Sequence, residues 1–109
     1  MQLQPPATVV RQVSTEVEAL LLEVSRDSVH FRRLFIEGQV DRFRSASEAD
    51  LALVQWLCRL LGPDPALIDA CFRLSSLDRP KWRSAAGYRD RTIALALSSG
   101  RWSRVGNET

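Results

Sequence analysis

Apolar residues recur at helical spacing along almost the whole chain. Val10, Val13, Val17, Leu20 and Val24 fall three or four apart, which predicts an amphipathic helix over residues 8–25. Glu16, Glu18 and Glu23 lie elsewhere on its surface. The stripe covers two heptads, too few to define a coiled coil, so packing onto its own domain is the default role. Asp27 or Ser28 can cap a second helix through "VHFRRLFIE", and Gly38 provides a left-handed stop. Phe31, Leu34 and Phe35 share one side of it, while Arg32 and Arg33 point more outward. "QVDRFRSA" then reads as a polar connection, with Phe43 folded inward.

The third segment, "SASEADLALVQWLCRLLG", carries the clearest pattern. Ser45 followed by Glu48 forms a capping box, with Ser47 as an alternative cap. Leu51, Val54, Leu57, Cys58 and Leu61 follow at helical spacing, and Gly62-Pro63 ends the run. Asp64 caps a fourth helix whose first turn holds Pro65. That helix buries Leu67, Ile68, Cys71 and Phe72, and Asp69 can pair with Arg73 one turn on. Pro80 turns Arg79 away from helix, and Gly87 marks a break. A last helical pattern runs over residues 88–98, with Ile93, Ala94 and Leu97 on one face and Gly100 as its stop. No strand-like alternation of useful length appears. The expectation is all-α: a compact bundle of about five helices over residues 8–100, with a flexible lead at 1–7 and a frayed tail at 101–109.

Composition narrows the classes. A chain of 109 residues with 45% apolar and 26% charged residues suits one soluble domain. The two cysteines, Cys58 and Cys71, are too few for a disulfide scaffold and fall at apolar helix positions, as expected of reduced core residues in a cytoplasmic protein. The longest apolar run is far below the ~18 residues of a membrane span, and the N-terminus lacks the pattern of a signal peptide.

Charge changes the picture more. The net charge is only +2, yet residues 1–70 carry seven Lys/Arg against ten Asp/Glu, and residues 71–109 carry eight against three. The basic half gathers its charge in "RPKWRSAAGYRDRT", which holds four Arg and one Lys with Trp82 and Tyr88 against a single Asp. Cations neutralise phosphates, and aromatic faces accept an unstacked base. The other reading is a solvated connection pinned by a buried Trp82, and in a small bundle the core role is the commoner one. Tyr88 and Thr92 share a helix side, so Tyr88 can sit half-buried with its hydroxyl at the rim.

Enzyme chemistry finds little support. Neither a phosphate-binding G-x-x-x-x-G-K-[ST] loop nor a G-x-G-x-x-G turn is present. One histidine, His30, and two distant cysteines do not make a zinc site. A paired D-x-D motif for metal-dependent polymerisation is missing. The chain alone reads as non-catalytic, with neither metal nor resident cofactor.

Four pieces in order carry a resemblance: "HFRRLFIEG", "SEADLALVQWLCRLLGPDPALIDACFRLSSL", "DRPKW" and "YRDRTIALAL". Together they resemble the helix-bundle domain of phage- and plasmid-type primase-polymerases. The matching positions are Ser47, Ala49, Asp50 and Leu51, then Asp64, Pro65, Ile68 and Asp69, then Ser76, Leu77, Arg79, Lys81 and Trp82, and last Tyr88, Thr92 and Ile93. The resemblance implies an all-α accessory to a primase-polymerase core of a mobile genetic element. Its role would be to hold single-stranded DNA template, alone or together with a nucleoside triphosphate. The implied partners are the catalytic primase-polymerase domain and a replicative helicase, neither of which this chain contains. Arg79, Lys81, Arg83, Arg89 and Arg91 are the expected phosphate contacts, Trp82 and Tyr88 the expected ring contacts, and Arg32 and Arg33 a second tier. The competing reading is a protein-interaction or oligomerisation module without nucleic-acid binding, supported by the valine-leucine stripe of the first helix and the acidic surplus before position 70.

Overall fold

The computed structural model describes residues 13–99. The Val10 position, the Gly100 stop, the lead and the tail lie outside them; the first helix starts at Thr15 after an extended Ser14 (φ −74°, ψ 163°), later than the expected start at Thr8. Six helices follow in order: α1 (Thr15–Asp27), α2 (Val29–Phe35), α3 (Ala46–Leu61), α4 (Pro65–Phe72), α5 (Pro80–Ser84) and α6 (Ala86–Ser99). No strand occurs among the described residues, and the fold is an all-α bundle.

Local chemistry sets the helix ends. Ser14 Oγ accepts the Val17 N–H at 3.2 Å and starts α1. Ser28, not Asp27, makes the corner between α1 and α2. Its own N–H donates to Val24 O at 2.8 Å, while its Oγ accepts from Phe31 N at 3.2 Å. One residue therefore closes one helix and opens the next. At α3, Ser45 Oγ accepts from Glu48 N, and the Glu48 carboxylate accepts from Arg44 N, one residue earlier than a strict capping box. Asp64 caps α4 with Pro65 behind it, as its sequence predicts.

The sixth helix is α5, inside the stretch expected to be a connection. Arg79 is extended (φ −158°, ψ 168°), in keeping with a residue before proline. Pro80 then takes the first helical position, where its missing N–H is no loss. The break before α6 falls at Ala85, not at Gly87, which lies inside α6.

Helix α3 is the central element and packs on α6, α4 and α2, while α1 rests on α2 and α5 on α6. Leu53, Val54, Leu57 and Cys58 of α3 are wholly buried, facing Phe31, Ile68, Cys71 and Phe72. Val13, Val17 and Val24 pack against this core. On α6 the buried face is Thr92, Ile93 and Ala96; Ala94 is exposed, so that expected face is rotated. Burial pushes the Cys58 and Cys71 thiols up to about 11, so both stay protonated and unreactive at neutral pH.

A serine turn after α4 closes the bundle against α2. Ser76 N–H donates to Phe35 O at 2.8 Å and its hydroxyl donates to Ile36 O, answering carbonyls at the end of α2. Gly38 (φ +63°) lies against this turn; a Cβ there would come within 3.0 Å of the Ser76 carbonyl oxygen. Close approach and a left-handed backbone both require glycine at this position.

Candidate nucleic-acid interface

Asp50 stands in the core stripe of α3, in phase with Leu53, Val54 and Leu57, and is wholly buried. A buried carboxylate needs partners. Arg79 supplies a two-pronged one, with Nη1 to Oδ1 at 2.9 Å and Nη2 to Oδ2 at 2.7 Å. Its Nη1 also donates to Leu77 O. The Tyr88 hydroxyl donates to the same Asp50 Oδ2. The Asp50 hydrogen bond holds the Arg79 guanidinium above its usual range, although partial burial opposes it. Burial first, and Asp50 second, push the Tyr88 phenol upward.

Trp82 is a second anchor. It is fully buried and stacks on Phe72 with ring centroids 3.7 Å apart and planes 14° from parallel. Tyr88 meets it edge-on at 6.2 Å. Its indole N–H donates to Asp69 Oδ1 at 2.9 Å, and Arg73 Nε donates to that oxygen at 3.1 Å. The predicted Asp69–Arg73 pair is present, and it also serves the tryptophan.

The remaining arginines of the stretch divide. Arg89 Nη1 donates to Trp82 O at 2.9 Å and Arg83 O at 3.0 Å, answering carbonyls at the C-terminal end of α5. Arg83 pairs with Asp78 at 2.6 Å on an exposed edge, and the other Asp78 oxygen is buried with no hydrogen-bond partner. Arg79 and Arg83 border a shallow depression of about 450 Å³ with Pro80 and Ser84. Lys81 is exposed, its Nζ 4.2 Å over the Tyr88 ring. Arg91 is exposed and has no ion-pair partner among the described residues. It lines a groove of about 270 Å³ with Ser47, Glu48, Leu51, Tyr88, Thr92 and Leu95, where the Glu48 carboxylate accepts from Arg44 N.

Of the second tier, Arg32 is tied down. It donates to Ser25 O at 3.2 Å and approaches Glu37 at 3.5 Å, fastening α2 to α1. Arg33, its neighbour, faces a different cleft and has no ion-pair partner among the described residues. The structure thus gathers Arg79, Lys81, Trp82, Tyr88, Arg89 and Arg91 along α5 and α6, and leaves Arg32 and Arg33 on α2. Trp82 presents no surface, and Arg79 turns its fork inward.

Asp50 was absent from the expected site, yet its signal was in the sequence: a charge at an apolar phase of the strongest helix. Three of the pieces that carry the resemblance, those beginning at Ser47, Asp78 and Tyr88, meet at this carboxylate through Asp50, Arg79 and Tyr88. Separated by up to 38 positions, they form one network.

These features define a small helical module in which a buried carboxylate ties a basic segment onto a central helix. A family model, that of the NrS-1 polymerase HBD domain, matches residues 46–102, more than half of the chain. The chain belongs to this helix-bundle family, an accessory domain of primase-polymerase type. No curated protein and no solved structure matches it.

Proposed function

We infer that the domain holds single-stranded DNA template for a primase-polymerase whose catalytic region lies outside these helices. One observation carries the reading: Lys81 and Arg91 both stand at Tyr88 on the exposed α5–α6 edge, neither held by a carboxylate among the described residues. Two cations beside a half-buried ring suit a phosphate backbone that passes over the edge. Arg83, exposed although paired with Asp78, borders the neighbouring depression, whereas Arg79 is spent on Asp50. Membership of a primase-polymerase accessory family supports the choice of ligand.

Fluorescence anisotropy of a labelled single-stranded oligonucleotide tests this. Binding should weaken with salt, with log K falling by about 0.7 per log unit for each phosphate neutralised. An anisotropy that stays flat at micromolar protein and low salt would reject the reading. The valine stripe that favoured the oligomerisation alternative packs against the domain's own core at Val13, Val17 and Val24, so that alternative rests on the acidic surplus before position 70 alone. Light scattering should accordingly give a monomer.

A further inference from the structure

Beyond Gly38 the chain doubles back over α2 and leaves a cleft of about 120 Å³ between α2 and α3. Its apolar lining comes from Leu34 and Ala52. Phe43 and Trp56, both half-buried, supply aromatic surface. Arg59 covers Trp56 at 4.8 Å without belonging to the cleft lining. Arg33 and Arg42 also line the cleft, and neither has an ion-pair partner among the described residues. Gln39 reaches the same space, its side-chain N–H₂ donating to Glu37 at 3.1 Å, which leaves its amide oxygen available.

We propose that this cleft is a base-binding site, taking one unstacked nucleobase of a single strand while Arg33 and Arg42 hold the adjoining phosphates. Size decides between a base and a larger ligand. Pockets that enclose drug-sized molecules run to about 300–1,000 Å³, so this one takes a single flat ring and leaves sugar and phosphate outside. Chemistry decides between a base and an aliphatic group. Two aromatic walls offer π-faces, the glutamine offers an amide for a base edge, and two uncommitted guanidiniums carry the charge an attached phosphate needs. An aliphatic side chain would use neither the amide nor the guanidiniums. The proposal rests on the template reading above and adds a second contact, on a different side of α3 from the Tyr88 groove.

The test compares a single-stranded oligonucleotide with an abasic strand of the same length. Phe43→Ala should weaken the base-bearing complex about tenfold, in the range of one lost base stack, and leave the abasic complex unchanged. Ala52→Phe fills the cleft without deleting a contact and should do the same, with an unaltered urea midpoint to show that the protein is folded. Arg33→Ala with Arg42→Ala should weaken both strands and lower the salt slope by about 1.4. If both cleft variants bind the base-bearing strand as tightly as the parent, the base site is wrong while template binding stands. If they weaken both strands equally, the cleft contacts backbone only and the base assignment is overturned. If the parent binds neither strand, the template reading falls, and this proposal with it.

Discussion

Two basic, aromatic regions of this molecule look alike in composition and differ in what their side chains are free to do. The α5–α6 region is the denser in sequence, yet Arg79 is locked on Asp50, Arg89 answers carbonyls of α5, Arg83 is paired with Asp78, and Trp82 has no exposed surface. The α2–α3 cleft is sparser, drawn from residues 30 to 56, but Arg33 and Arg42 have no acidic partner among the described residues and both aromatics remain half-open. Charge density along a sequence therefore overstates binding capacity wherever the fold has its own need for cations. The useful quantity is the charge left after intramolecular partners are subtracted.

The sharpest way to break this contrast is Arg79→Ala. It strands a wholly buried Asp50 carboxylate, and removing one member of a buried pair costs about 3–5 kcal/mol. Arg79→Lys keeps the charge but loses the two-pronged geometry, so it should recover only part of that. Urea unfolding followed by circular dichroism reads both. If Arg79→Ala left the midpoint unchanged and lowered the salt slope by about 0.7 instead, Arg79 would be a phosphate contact and the two regions would not differ in kind.

How legible this was depends on whether a feature is local. Caps at Ser45 and Asp64, the Gly38 and Gly62 stops and the apolar phases of α3 and α4 rest on neighbours within one or two turns, and they could be read directly. The α5 helix could not, because five residues carry no periodicity; only Pro80 hinted at a helix start. The rotation of α6 was hidden because Ala94 and Ala96 are chemically alike and tertiary packing chooses between them. At the site, sequence located the cations but not their partners. Asp50 lies 29 residues from Arg79 and 38 from Tyr88, and nothing local announces that pairing. The α2–α3 cleft was missed for the same reason: its lining joins a helix, a connection and a second helix that only the fold brings together.

A smaller effect is expected at the seam between the regions. Gly38→Ala should cost about 2 kcal/mol, from a left-handed alanine and from contact with a Ser76 backbone oxygen that has little room to yield. The turn at Gly38 positions Gln39, Arg42 and Phe43, whereas the Asp50 network lies on the other side of α3. Selectivity for a base-bearing over an abasic strand should therefore shrink in this variant, while its salt slope stays near that of the parent. Equal loss of both would mean that the two surfaces are not separable.

The smallest stability effect and the cleanest functional one belong together, at Lys81 and Arg91. Both are exposed, and neither has a carboxylate partner among the described residues. Lys81 has only its position over the Tyr88 ring, a contact worth about 0.5–1 kcal/mol at an exposed site. Arg91→Ala should change stability by no more than about 0.5 kcal/mol, with Lys81→Ala slightly above it. Each should lower the slope of log K against log salt by about 0.7, and the pair by about twice that. This is the reverse of the Arg79 expectation, which is large in stability and absent from the slope. Measuring both quantities on the same three variants separates a cation that holds the fold from one that holds a ligand. A slope unaltered by Lys81→Ala and Arg91→Ala would move the phosphate path off the α5–α6 edge, leaving Arg33 and Arg42 as the cations still available to carry it.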